Sequence, residues 1–510
     1  MSDAASSPSP TAGPAFTHRQ IQTVIIGVMA GMGLSALDST IVNTALATIV
    51  GDLGGIKYYA WVGTAYMLTS TAATPLFGKI SDLRGRRRPF QVAIALFVLG
   101  SLFCGLAQNM GQLVIARGIQ GIGGGGIFAL SFTIIGDVVS PRDRGRYIGM
   151  LTSVYTVSSV IGPLIGGFIV DNTSWRWIFL INLPIGLAAL AITDRSLRFP
   201  FTVKEHAVDW QGATILVAAV TSLLLGLSWT GGECGWTHVS TIALFAASLA
   251  LSVLFVKWEN RCPEPIVPMS LLKLDVPRVV VPLMFFIGAA FFGSNAFLPL
   301  YLQGVTGVSA TNSGLLLAPV AVATAVSATL AGRHTARTGS YKHIAPLGGA
   351  IGVIALVLLS LLKSSGGYLV LALVASFMIG LAMGLIMPVG TTATQNAVDS
   401  HQMGAASSVI VFTRQLGGAV GLAAFGAAFS SSLSGRIDPR LVQSPGMIKK
   451  LAEPERTEAL SALTHALTTV FKIAVPVMFI VFVVSTRIPN KPLRTSNAPG
   501  PADGSANITH

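Results

Sequence analysis

Charge is what this sequence has least of. Asp, Glu, Lys and Arg together make up 10% of its 510 residues, and only 20 positions are acidic. A soluble domain carries roughly a quarter charged residues. With 52% hydrophobic residues and a mean hydropathy of +0.69, a soluble particle of this size has no way to hide its apolar surface. A soluble enzyme and a disordered chain are both excluded. Cysteine is scarce as well. Cys104, Cys234 and Cys262 offer neither a disulfide framework nor a metal-ligand spacing. The eight histidines fall at the ends of apolar runs, in loops or in tails, which argues against a zinc centre. No nucleophile motif or soluble catalytic domain is present, so neither catalysis nor a cofactor is expected.

What is present is apolar sequence in long runs. They lie near 21–50, 59–80, 90–107, 111–136, 147–170, 176–194, 209–230, 240–257, 278–304, 311–332, 343–362, 367–392, 404–430 and 467–487. Each is long enough for a membrane helix of about 20 residues. Barrel strands would be shorter and would alternate. The chain is therefore expected to be an all-α membrane protein with fourteen spans. The Ser/Pro-rich start, 1–20, reads as a disordered tail. It lacks the charged n-region, apolar core and cleavage site of a signal peptide. A second polar tail is expected over 488–510.

Basic residues set the expected orientation. The formal charge is +13. In a soluble protein this would point to nucleic acid, but here the basic residues sit between apolar runs, so the expected contact is the bilayer. With the N-terminus inside, inside segments hold 22 of the 33 Lys/Arg and outside segments eight, five of them in one long loop over 431–466. Such asymmetry places both termini in the cytoplasm and the protein in the cell membrane.

An internal repeat divides the chain. Gly78, Lys79, Gly85 and Arg88 match Gly332, Arg333, Gly339 and Lys342. Gly149, Ser153, Gly162 and Gly166 match Gly404, Ser408, Gly417 and Gly421 at nearly the same offset. Two related six-helix bundles are expected, 21–194 and 278–487, with an inserted helix pair at 209–257. Repeated halves of this kind suit alternating access about a midplane site.

The acids are more telling. Only Asp38 lies well inside an apolar run, where it costs roughly 2.5–3.5 kcal/mol on insertion scales. Burial raises a carboxyl pKa and a nearby cation lowers it. A carboxyl that meets each influence in turn carries protons; the plainer alternative is an Asp hydrogen-bonded between helices. Arg117 is a potential partner, because its depth differs from that of Asp38 by about 4–5 Å on a 1.5 Å rise per residue. The alternative is an Arg that reaches to the outer surface. Arg414, near mid-depth in its run, is open to three readings: a bond to backbone carbonyls, attraction of anionic substrate groups, or positioning of a neighbouring helix.

The segment 78–88, GKISDLRGRRR, joins the second and third runs. It is either an ordinary basic inside loop or a latch. In the second case Asp82, between Gly78 and Gly85, would pair with Arg86 or face a helix N-terminus across the boundary between halves. Gly162, Pro163, Gly166 and Gly167 permit close helix contact and a bend. Gly123–Gly126 reads as packing. Tyr66, Tyr155, Phe292, Asn295 and Gln395, with Arg414, either line a substrate cavity or simply pack.

At these residues the sequence resembles the major facilitator superfamily, and within it the 14-span drug:proton antiporter branch. LDSTIVNTALA (37–47) is similar to that branch's first-helix motif, with Ala47 in place of the usual Pro. GKISDLRGRRR is similar to the superfamily's helix 2–3 motif, with Leu83 where an Arg is usual. LVIARGIQGIGGG (113–125) resembles the motif whose Arg, here Arg117, is linked to proton coupling. VIGPLIGG (160–167) resembles the antiporter motif. WRWIFLINLPIG (175–186) and FLPLYLQGVTGVSATNSGLLLAP (297–319) are similar to segments of the 14-span branch. The resemblance implies that Asp137 completes an Asp–Arg–Asp cluster with Asp82 and Arg86. It also implies multidrug efflux of hydrophobic or cationic small molecules, driven by protons entering, by a protein acting as a monomer. A single intramembrane acid points to monocations or neutral compounds rather than divalent cations. A dedicated exporter of one metabolite, antibiotic, lipid or siderophore shares every one of these motifs.

Overall fold

Helices dominate because a backbone in lipid has to satisfy its own hydrogen bonds. The computed structural model describes residues 18–53, 59–140, 143–197, 209–230, 235–263, 265–308, 310–363, 368–399, 402–433, 451–453 and 455–493, and no strand occurs among them. The helices are α1 (His18–Leu53), α2 (Tyr59–Arg84), α3 (Arg87–Leu106), α4 (Met110–Val138), α5 (Arg144–Asn172), α6 (Trp177–Leu180), α7 (Asn182–Ser196), α8 (Trp210–Thr230), α9 (Val239–Glu259), α10 (Met269–Lys273), α11 (Pro277–Asn295), α12 (Leu298–Leu300), α13 (Ala310–Thr338), α14 (Ile344–Ser360), α15 (Leu369–Asn396), α16 (Met403–Leu433) and α17 (Glu455–Thr486). Among the described residues, eleven helices are long and apolar enough to cross a membrane, and α14 is apolar but shorter.

Proline decides where two expected runs break. The run 176–194 divides at Ile181, since Pro184 has no N–H for the Leu180 carbonyl and its ring crowds that group. The run 278–304 divides ahead of Pro299 for the same reason and continues as a π-helical turn, Tyr301–Val305. The outer loop expected over 431–466 is shorter than the sequence suggested. Residues 455–466 form the first turns of α17, whose first turn carries Glu455 and Glu458, favourable charges at a helix N-terminus. Residues 434–450, the tails 1–17 and 494–510, and the basic residues Arg142, Arg198 and Lys204 lie outside the described residues.

One apolar core joins α11, α14, α15 and α17, and another joins α1, α3, α4 and α7. A third fills the far end of α1 and α4 beneath α6. The fourth joins α8 and residues 266–271 to α16. In α4, 83% of the apolar window is buried inside the protein, against 17% in α9; α4 is thus the centre of its bundle and α9 a face for lipid. The run Gly123–Gly126 explains how α4 fits. Cβ atoms there would overlap backbone or side chains of α2 and α3 at Ala93, Phe97, Tyr66 and Ser70. This is packing, as one of the sequence readings had it.

Two seams join the cores, and both lie at the end that carries the basic loops. Gly78 of α2 lies against Gly404 and Ser408 of α16, while Gly332 and Ala328 of α13 lie against Gly145 and Gly149 of α5. Positions that match in the repeat therefore meet each other crosswise, as a pseudo-two-fold arrangement requires. The loops agree in detail: Gly85 and Gly339, also matched in the repeat, have φ of 82° and 70°, a left-handed conformation that other residues adopt at a cost. The seams differ in charge, since Ala336 occupies the place that Asp82 holds on α2.

At the opposite end, Asp52 accepts hydrogen bonds from Trp175 Nε1 at 2.8 Å and Arg176 Nη1 at 3.2 Å. The bond from Trp175, followed by that from Arg176, holds its carboxyl below the usual range. A depressed carboxyl contributes stability above its unfolded pKa, and that contribution is lost as pH falls through the folded pKa. The exposed tie should therefore survive mild acid and release only below the ordinary carboxylate range of about 4. The fluorescence difference between the protein and its Asp52→Asn variant follows this release. A transition at or above the ordinary range would contradict it.

Candidate functional site: a buried ion pair and a charged cluster at the seam

Asp38 lies mid-way along α1 and is fully buried. Its Oδ2 accepts from Arg117 Nη1 at 2.5 Å. Its Oδ1 accepts from Gln120 Nε2 and from Asn182 Nδ2, each at 2.8 Å. Both amides also donate to Ser101 Oγ at 2.8 Å. Helical spacing makes this possible, because Arg117 and Gln120 are three residues apart on one face of α4. The helix break at Ile181 delivers Asn182 at the start of α7.

Arg117 is 2% exposed, so it does not reach the outer surface. It also donates to Gln120 Oε1 at 2.7 Å and lies 4.3 Å from the centre of the Tyr66 ring. The Tyr66 hydroxyl is hydrogen-bonded to Ser35 Oγ at 2.9 Å. Asp38 thus accepts three hydrogen bonds and donates none, the pattern of a charged carboxylate. Removing one partner of such a buried pair costs about 3–5 kcal/mol.

At the basic end, Arg86 bridges two acids, Asp82 Oδ1 and Asp137 Oδ2, each at 2.5 Å. Its Nη1 also donates to Ser81 Oγ at 2.7 Å. Asp82 reaches across the seam as well: Oδ1 accepts from Gly404 N at 2.9 Å and Oδ2 from Ala405 N at 2.8 Å. These are first-turn N–H groups of α16, which have no partner within their own helix, and the helix dipole favours the negative charge. Both contacts considered for Asp82 from the sequence occur together. Gly85 supplies the turn that places Arg86 between the acids. A Cβ at Gly78 or Gly404 would push the seam apart.

The other expected residues are distributed as follows. Gly162 receives Thr40 of α1, whose Oγ1 donates to Ser158 O at 3.0 Å, so this motif glycine packs two residues from Asp38. Gly166 is buried, and Gly167 faces open space. The side chains of Pro163 and Asn295 lie outside the described residues. Gln395 is bound in the closed seam, where it donates to Phe132 O at 3.0 Å and Ser407 Oγ at 2.9 Å. Tyr66 packs on Arg117 instead of standing free. Tyr155, Phe292 and Arg414 meet between the bundles: Arg414 lies over Phe128 at 5.5 Å and Phe292 at 5.8 Å, and Tyr155 stacks edge-on against Phe128.

Comparison with known proteins places the chain in a family. The model of the Major Facilitator Superfamily matches residues 28–422. Multidrug transporter protein MdtP of Bacillus subtilis (strain 168) is 37% identical over 430 residues, 82% of this chain and 77% of the relative. Multidrug resistance protein 3 of the same organism is 30% identical over 90% of this chain and 93% of its own. An acurin A biosynthesis cluster MFS-type transporter of Aspergillus aculeatus is 33% identical over 78% and 73%. Among solved structures, the human organic anion transporter MFSD10 superposes with a TM-score of 0.62 at 15% identity, covering 90% of this chain and 99% of that one. At that identity the likeness speaks for the fold alone. By sequence, helical architecture and the match across most of its length, the chain belongs to the Major Facilitator Superfamily and is a multi-pass membrane transporter.

Proposed function

We propose that this transporter exports small hydrophobic molecules by alternating access, in exchange for protons. In this reading fourteen helices cross the cell membrane. Two six-helix bundles, 21–194 and 278–487, rock about a midplane site, with 209–257 as an inserted pair, and both termini are cytoplasmic. Arg86, Asp82 and Asp137 hold the inner side shut against the N-terminus of α16. Asp38 and Arg117 couple the rocking to proton entry. The observation that carries the reading is the Asp38 network, a buried carboxyl that accepts hydrogen bonds from one cation and two amides. The sequence also allowed monocationic cargo, and a buried Arg414 between the bundles favours neutral or anionic molecules over it.

A second reading, export of one dedicated metabolite, is supported by a relative whose name places it in a biosynthesis cluster. Both readings share the coupling step. With a single titratable site, one proton enters per cycle. Neutral cargo then moves with one net charge, worth about 2.3 kcal/mol per 100 mV. In proteoliposomes containing a pH dye and a neutral fluorescent cargo, export should be driven by a pH gradient at zero voltage, and also by voltage at zero pH gradient. Cargo movement that responds to neither force would overturn proton coupling.

A further inference from the structure

Among the described residues, the buried arginines differ in what they meet: Arg144 donates to the Val139 carbonyl, and two others have acids. Arg117 has Asp38, and Arg86 has Asp82 and Asp137. Arg414, eleven residues into α16 and 4% exposed, has no carboxylate and no hydrogen-bond acceptor on its guanidinium among the described residues. What surrounds it is aromatic: Phe128 from α4, Phe292 from α11, and Tyr155 from α5, whose hydroxyl is close enough to feel the Arg414 charge. These four helices come from both bundles. The next residue, Gln415, accepts from Thr74 of α2 at 3.4 Å. Arg414 thus stands at the closed seam, where cargo has to pass if access alternates.

A guanidinium is always charged and offers five donors in a planar fork matched to a carboxylate. Two aromatic faces partly offset its burial but leave its in-plane donors unused. A ligand carboxylate lying in that plane supplies the acceptors that the described residues do not. The rings provide flat apolar walls at the same point. We propose that Arg414 is an anion-recognition site within the cargo pathway, and that the favoured cargo is an aromatic or otherwise apolar weak acid bound as its carboxylate. The carboxylate takes the fork of Arg414, and the apolar body lies between Phe128, Tyr155 and Phe292. This rests on the efflux reading and names its substrate class.

The test uses the full chain in nanodiscs with three fluorescent probes of one shape: pyrenebutyrate, its methyl ester, and a pyrenyl trialkylammonium of equal length. The intact protein should bind the carboxylate about tenfold or more tighter than the ester, since a bidentate charge-assisted pair is at stake, and the ammonium weakest. Arg414→Gln should erase the preference while still binding the ester, which reports an intact fold. Arg414→Lys should retain part of it. An unchanged order of affinities in Arg414→Gln overturns the proposal. So does an ammonium bound as tightly as the carboxylate, or no detectable binding of the carboxylate. If the order appears but none of the probes moves against a gradient in proteoliposomes, the anion site stands and the efflux reading fails.

Discussion

Asp38→Asn should reduce uphill export to the level of empty vesicles while exchange of labelled for unlabelled cargo continues. The substitution keeps the side chain's shape and removes its titration. In the protein Asp38 meets only donors: Arg117, Gln120 and Asn182. An Asn amide there sets its own N–H groups against at least one of them and leaves the Arg117 charge buried without its partner, a cost of about 3–5 kcal/mol. Thermal stability should fall measurably, so intact cargo binding has to be shown alongside. Exchange needs only the rocking of the bundles, whereas accumulation needs a proton carried in the opposite direction. The split between the two separates a coupling residue from a merely structural one, whose loss would lower both together.

The second large effect concerns the proposed latch at the basic end. Asp82→Ala removes two bonds to the first turn of α16 and one to Arg86. Hydrogen bonds involving a charged group contribute about 1.5–3 kcal/mol each. Even a small part of that sum shifts a two-state balance tenfold, since 1.4 kcal/mol suffices. The variant should therefore favour the state open at the basic end. Spin labels at Arg84 and Gln402, on either side of the seam, should show one short distance in the parent and a second, longer population in the variant. A distance distribution unaltered by Asp82→Ala would mean that the glycine contacts of the two seams hold the closure without it.

The lone acid, its Arg partner and the motif glycines were visible in the sequence because each breaks a rule: a charge in an apolar run, or glycines spaced for close contact. Their depth followed from counting residues, but the direction each faces did not. The rest of the Asp38 shell was missed. Gln120, Asn182 and Ser101 are uncharged, and a polar amide in a span has no signal until a carboxylate is found beside it. Gln120 had one clue, its position three residues after Arg117. Gly404 and Ala405 act through backbone N–H groups, which carry no residue signature, although Gly404 had emerged from the repeat. Gln395 was read either as cavity lining or as packing, and its bonds to Phe132 and Ser407 in the seam could not be foreseen, because the sequence does not tell a closed interface from an open one. The helical character was legible in the runs, but of the fourteen spans expected eleven helices among the described residues are long and apolar enough to cross a membrane, and Pro184 and Pro299 interrupt two of the runs.

The measurement that bears most directly on the account is an infrared difference spectrum between the two access states, recorded for the protein and for Asp38→Asn. A protonated-carboxyl stretch should appear in the state opposite to the closed-seam one and be missing from the variant. The same stretch persisting in Asp38→Asn, or no carboxyl protonation in the parent on switching states, would contradict the assignment of Asp38 as the proton carrier.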